Sequence, residues 1–213
     1  MTWVEGERHS LAAEFRAADP NAPTLCAGWT ARHLCAHLVQ REHAMLRNVW
    51  DQVTTKTPGE ERFMRRLVDD AGTPDGYAAL VDTFAAGPSR HSLMGRFDET
   101  LNFLEYVVHH EDLRRGSGPV APRDPPAAEL DEIWRRARPI LKRAYRKAPV
   151  GVELAPDGGA AIPVRSGPGG VVTVAGSPVE LLLHAFGRRG AADVRVDGSA
   201  DDVSAFTRWA TQA

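Results

Sequence analysis

Residues 97–115, FDETLNFLEYVVHHEDLRR, decide the fold. Leu101, Leu104 and Val108 recur at spacings of three and four, which predicts a long helix with one apolar stripe. Glu105 and His109 fall on that same stripe, one helical turn apart. A carboxylate turned toward a helical core is costly unless it is paired or holds a cation. Such a helix belongs in a bundle, where inward side chains from facing helices commonly build metal sites.

The facing helix is sought upstream. Thr30 reads as the N-cap of a helix over 31–51, with Leu34, Leu38, Met45 and Val49 along one side. His37 lies between Leu34 and Leu38 and is expected to point inward. Two facing helices can then bring His37, Glu105 and His109 together. His₂Glu is a catalytic zinc ligand set that leaves a fourth position open for water or substrate. The ordinary reading stands beside it: a histidine on an apolar face is more often a hydrogen-bonded core residue, and an i,i+4 Glu/His pair more often a satisfied pair.

The neighbours compete for the same role. His33, three residues after Thr30, occupies the acceptor position of a capping box, so it is placed at the helix end. His110 and Glu111 point away from the Glu105 stripe. Asp112, three residues after His109, either orients that imidazole from behind or makes a surface ion pair. The run HHEDLRR is not H-E-x-x-H, so a zincin is excluded. Cys35 stands on the other side of its helix from His37. Cys26, in the preceding loop, can approach the mouth of a site, although a small buried thiol is the plainer reading of both.

Around these two helices the chain reads as follows. Further helices are expected over 5–18, 60–70 (ending at Ala71-Gly72), 76–85 and 127–148, with Pro139 kinking or ending the last of them. The segment NAPTLCAGW is a loop, 54–60 a turn with a Pro-Gly pair, and 118–126 (GPVAPRDPP) a linker. From Pro149 the period changes: GVELAP, AIPVRS and GVVTVAG are short β-rich runs separated by Asp-Gly-Gly and Gly-Pro-Gly-Gly turns. Ser177-Pro178 opens another helix, with Ser at the N-cap and Pro at N1. ADVRVDG is a strand and SADDVSAFTRWAT a final helix. The expectation is an α+β chain with three parts. Residues 1–118 form a helical bundle, 119–148 a linker and connecting helix, and 149–213 a small βββαβα domain.

Composition narrows the function classes. The 213 residues are 43% hydrophobic and 25% charged, an ordinary globular balance. A net charge of −2 offers no basic footprint for nucleic acid. No apolar run approaches the roughly 20 residues of a bilayer span, so no membrane partner is expected. The N-terminal stretch lacks an apolar signal core, and two cysteines make no disulfide framework. A cytoplasmic protein with reduced thiols is therefore expected. Oligomeric state is left open, a homodimer included.

The stretches TLCAGWTARHLCAHLVQRE (24–42) and LNFLEYVVHHEDLRRG (101–116) resemble the DinB/YfiT-like metal-binding superfamily. Within it they are most similar to the branch that contains mycothiol-dependent maleylpyruvate isomerase. VTVAGSPVELLLHAFGRRGAADVRVDG (172–198) resembles that branch's small C-terminal domain, which is similar to sterol-carrier-like folds. The resemblance implies a DinB-like four-helix bundle with His37, Glu105 and His109 as metal ligands. It also implies an arginine from HAFGRRG acting in catalysis, Arg188 first and Arg189 next. A helix C-terminus where cations favour the dipole explains the same arginines. His33 departs from the Asp usual at that position, which alters the cap and not the ligands.

From this follows a divalent metal, zinc by ligand type, with nickel, cobalt or iron also compatible. A mycothiol-like low-molecular-weight thiol is the implied cosubstrate. The expected reaction is thiol transfer to, or isomerisation of, a small electrophilic substrate. The alternative is a non-catalytic stress or detoxification module that binds a metal or a hydrophobic ligand. A metal-dependent hydrolase is a third reading, with Asp112 as its one evident base.

Overall fold

The computed structural model describes residues 2–58, 60–88, 93–167 and 169–212; the side chains of residues 45, 93–101 and 212 lie outside that description. Leu101, counted in the apolar stripe, is therefore outside the described side chains, as are Gly59 and Pro168 in two expected turns. The chain divides into two compact units, residues 1–120 and 121–213. The architecture is α+β, as expected.

The first unit is helical. Helix α1 (Trp3–Ala17) opens on a reciprocal cap: Glu5 N–H donates to Thr2 Oγ1 at 3.3 Å, and Thr2 N–H donates to Glu5 Oε2 at 2.9 Å. Then come α2 (Ala31–His43), α3 (Met45–Thr54), α4 (Met64–Asp70), α5 (Pro74–Ala86) and α6 (Leu93–Arg115). The bundle is made by α1, α2, α5 and α6, which pack on one another. Leu11, Phe15, Leu34, Leu38, Phe84, Phe103 and Tyr106 are fully buried between them.

Two helical expectations are corrected. The single helix over 31–51 breaks at Ala44, whose φ of −145° and ψ of 53° leave the helical region. Leu34 and Leu38 stay in the core, but Val49 is turned out to solvent. The cause is tertiary. The Asp51 carboxylate accepts from Gln40 Nε2 at 3.0 Å and from the backbone N–H groups of Phe63 and Met64 at 3.0 and 2.9 Å. Those two amides open α4 and have no partner within it. Drawing Asp51 inward to cap them rotates α3 away from the register of α2. In α6, the fully buried residues Phe103, Tyr106 and Val107 lie beside the predicted stripe, while Leu104 and Glu105 are half-buried. The helix is covered on more than one side, so a single apolar face is a poor guide to its orientation.

The second unit begins with α7 (Ala127–Ala144), which continues through Pro139 rather than ending there. Burial of Ile133, Ala137 and Leu141 along one side outweighs the lost hydrogen bond. The strands β1 (Gly151–Pro156), β2 (Ile162–Arg165), β3 (Val171–Gly176) and β4 (Arg195–Asp197) form one sheet in the order β2-β1-β3-β4. β1 pairs antiparallel with β2 and parallel with β3, and β3 pairs antiparallel with β4. Helix α8 (Pro178–Ala185) connects β3 to β4, and α9 (Ala200–Gln212) follows β4. Ser177 caps α8 by accepting from Glu180 N–H, with Pro178 in the first turn. Tyr145, His184 and Phe206 stack nearly parallel, with ring centres 5.7–6.3 Å apart. Tyr145 Oη lies 2.7 Å from His184 Nδ1. Among the described residues no helix is long and apolar enough to cross a membrane.

Candidate metal centre

The loop before α2 sets one wall of the site. Trp29 N–H closes a turn on the Cys26 carbonyl at 2.9 Å. Gly28 takes φ +79° inside it, and a Cβ there would stand 3.0 Å from the Pro58 carbonyl oxygen. Leu25 N–H donates to the Asp112 carbonyl at 3.0 Å, which ties the loop to α6. Gly116 permits this approach, since a Cβ there would fall 2.0 Å from the Pro23 carbonyl oxygen. At the start of α2, His33 Nδ1 lies 2.8 Å from Thr30 Oγ1 and 3.4 Å from Thr30 N, the capping role expected of it.

One turn beyond the cap, His37 is buried, with its ring 4.9 Å from the Trp29 ring and 5.4 Å from the His109 ring, at 75° to the latter. Its imidazole makes no hydrogen bond among the described residues. Burial, then the His109 charge, lowers its pKa to about 3, so it is a neutral base. From α6, Glu105 Oε2 comes within 3.5 Å of His109 Nε2. Arg41 Nη2, one turn past His37, lies 3.5 Å from Glu105 Oε1, and Arg41 Nε donates to Asn102 Oδ1 at 3.1 Å. Burial raises the Glu105 carboxyl, but the His109 hydrogen bond and the charges of His109, Arg41 and His37 outweigh it and hold it at about 2.

The other nitrogen of His109 is held from behind. Nδ1 lies 2.8 Å from Asp112 Oδ2, and Cys26 Sγ donates to the same oxygen at 3.2 Å. Burial pushes His109 down, but contacts with Asp112, Cys26 and Glu105 raise its pKa well above the ordinary value. Asp112 therefore fixes the ring with Nε2 directed toward Glu105.

The ligand atoms of Cys26, His109 and Asp112 all lie within 4.8 Å of one another. Their shared Asp112 oxygen already receives two hydrogen bonds, so a cation there would have to displace both protons. His37, Glu105 and His109 are not gathered as tightly; Glu105 and His109 meet, and His37 stands back. Of these, only the Glu105–His109 pair, at 3.5 Å, has the ligand spacing of a single ion. Ligand atoms on a tetrahedral zinc at about 2.0–2.1 Å are roughly 3.4 Å apart, and two imidazoles sharing it have ring centres about 5 Å apart. A neutral, unpartnered imidazole beside an ionised carboxylate is the donor chemistry that a divalent ion requires. A cavity of about 120 Å³ opens beside His37, lined by Trp29, Gln40, Asp51, Glu61 and Met64 among others. Trp29 Nε1 donates to Glu61 Oε1 at 3.1 Å across its wall.

Other sequence candidates of the first unit fall elsewhere. His110 Nδ1 pairs with Glu7 Oε1 at 2.9 Å, and Glu111 with Arg114 and Arg115, all away from the cluster. Cys35 is fully buried and its thiol pKa is pushed up, mainly by burial. Arg188 lies in the second unit just past α8, where Nη1 donates to the Phe186 carbonyl at 2.8 Å. Sequence reasoning missed Arg41 and Trp29. Arg41 was legible, being four residues after His37 on one helix; Trp29 depends on how the loop folds.

Residues 5–101 match the family model of the mycothiol maleylpyruvate isomerase N-terminal domain. The matched stretch is a little under half of the chain. It takes in His37 and ends just before Glu105 and His109. No curated protein matches the sequence. Two solved structures share the fold: mycothiol-dependent maleylpyruvate isomerase, and a mutant of it with one histidine replaced by alanine. Their TM-scores are 0.58 and 0.59; each is 16% identical, covering 92% of this chain and 95% of its own. At that identity the likeness is one of fold.

Proposed function

We propose that the protein is a metal-dependent enzyme that uses a low-molecular-weight thiol of the mycothiol type. The thiol serves as nucleophile toward a small electrophile, for isomerisation or thiol transfer. The observation that carries this reading is the cluster itself. Glu105 and His109 meet at 3.5 Å, Asp112 holds the rear nitrogen of His109, and the unpartnered His37 ring lies 5.4 Å away. The family of the N-terminal domain supports the choice of thiol.

His37, Glu105 and His109 would hold the ion. Bound there, a divalent metal supplies a lowered thiol pKa, from about 8.5 into the neutral range. The chain's own residues do the rest. Asp112 keeps the Nδ1 proton of His109 in place, so Nε2 would be the coordinating atom. Arg41 compensates the Glu105 charge without occupying the oxygen that faces His109. Trp29 and Met64 give the cavity apolar walls that limit water. Arg188 is proposed to hold a substrate carboxylate, since a guanidinium offers two parallel donors to it. Zinc suits the donor set, as do nickel, cobalt and iron. For the hydrophobic-carrier alternative there is less support: the aromatic side chains of Tyr145, His184 and Phe206 stack on one another in the second unit.

Metal content of tag-free protein, measured by elemental mass spectrometry, tests the site. Near one ion per chain is expected in the parent and near none in His37→Ala, Glu105→Ala and His109→Ala. A cobalt-substituted sample should change its visible spectrum on adding mycothiol, and mycothiol-dependent isomerisation of maleylpyruvate should be lost in the same variants. Metal-free parent protein that takes up no zinc, nickel or cobalt sinks the reading.

A further inference from the structure

Helix α3 is built inside out. Its polar residues Asn48 and Asp51 are buried, with Asp51 bound to Gln40 and to the amides that open α4. Its apolar residues Leu46, Val49, Trp50 and Val53 are 83%, 50%, 58% and 79% exposed. Spacings of three and four put all four on one face. Together they present on the order of 500 Å² of apolar surface, at the upper end of the roughly 300–600 Å² patches of monomeric proteins. Phe63 extends the face, with the guanidinium carbons of Arg47 and Arg62 5.7 and 5.6 Å from its ring centre.

We propose that this face docks a second copy of this chain, the two α3 helices packing antiparallel across a twofold axis. Three observations select that occupant. The first is positional. Read in reverse, the apolar pattern is unchanged: 46 exchanges with 53, and 49 with 50. A twofold axis between 49 and 50 therefore sets Leu46 against Val53 of the other copy and Val49 against Trp50, an isologous contact in which every apolar group meets another. The second is electrostatic. The same exchange brings Arg47 opposite Gln52, so the cation flanking the seam meets an amide and not its own copy. The third is size. Two such faces bury about 1,000 Å² before any rim is added, the threshold for a specific interface. A lipid surface suits the helix less well: membrane-lying helices carry rows of Lys and Arg, and α3 has Arg47 as its one cation.

The contact bears on the site as well. Asn48 and Asp51, on the inner side of α3, line the cavity beside His37. A partner pressed on the outer side braces that wall.

The register supplies a test with full-length protein. Sedimentation velocity over a concentration series is run on the parent, Leu46→Lys, Val53→Glu and the double variant. The parent should dimerise, and its Trp50 emission should shift to the blue as concentration rises. Each single change buries an unpaired charge at both ends of the seam and should raise the dimer Kd at least about tenfold. The double variant pairs Lys with Glu at both ends and should recover most of the loss. Circular dichroism checks folding; should a single variant unfold, Trp50→Ser reads the same loss. A parent that stays monomeric up to its solubility limit overturns the proposal. So does a double variant no better than the singles. So does a monomeric parent whose Trp50 emission shifts only on adding phosphatidylglycerol vesicles, which assigns the face to lipid.

Discussion

His109 and His110 are neighbours on α6, both buried, and they face different surroundings. His110 finds Glu7 of α1 at 2.9 Å, within a region where Arg8, Glu42 and Tyr106 also meet. That side is closed: acid, base and hydroxyl from three helices hold one another. On the His109 side, Asp112 secures one nitrogen while the other faces a carboxylate and an imidazole that has no hydrogen bond among the described residues. Buried polarity of the two kinds looks alike in a sequence. What separates a framework cluster from the proposed ligand cluster is whether the donors and acceptors are used up.

The largest effect that would break this contrast lies on the closed side. Glu42 is fully buried against Arg8 and Tyr106. Glu42→Ala leaves the Arg8 charge without that carboxylate and should cost about 3–5 kcal/mol in denaturant unfolding. Metal affinity should be unchanged in whatever fraction stays folded. Equal losses of metal and stability would erase the distinction between the two sides.

His184 in the second unit sharpens it as a third case, a buried histidine kept neutral. Burial first, then Arg189, lowers its pKa to about 4. Its folded pKa lies below its unfolded value of about 6.5, so the unfolded chain binds the proton more readily. This contribution is complete above pH 6.5 and lost as pH falls toward 4, about 3 kcal/mol in all. Unfolding followed between pH 7 and 4 should show that slope, and His184→Gln should reduce it, leaving the share that His37 contributes.

Asp112→Asn probes the open side without removing a proposed ligand. Loss of the carboxylate behind His109 should weaken metal binding about 10–100-fold while a measurable site survives. Competition with a chelator of known affinity gives the number, and an unchanged affinity would reduce Asp112 to a structural acid. The smallest effect is the reference. Asp82 and Arg16 form an exposed pair at 2.9 Å, and Asp82→Asn should shift stability by less than about 1 kcal/mol.

The legible parts of the molecule were those governed by one element at a time. The βββαβα order followed from the change of period, and the start of α8 from Ser177-Pro178. The pairing of Glu105 with His109 followed from one turn of helix, and the capping contact of His33 from its distance to Thr30. What escaped was set by contacts between elements. No residue at 44 announces a break, because the break comes from Asp51 reaching amides twelve and thirteen residues on. Nor does the pattern of α6 reveal its orientation, because neighbours cover several of its sides. Trp29 meets His37 through a turn that depends on Gly28 fitting against Pro58.

The bond from Cys26 to Asp112 spans 86 positions of the chain. During synthesis the loop that carries Cys26 and Trp29 leaves the ribosome long before its counterpart on α6 exists. Until residue 109 has emerged, His37 lacks the full Glu105–His109 pair that the proposed site requires. On the proposed ligand set, an ion would meet its three donors together only once the bundle has closed.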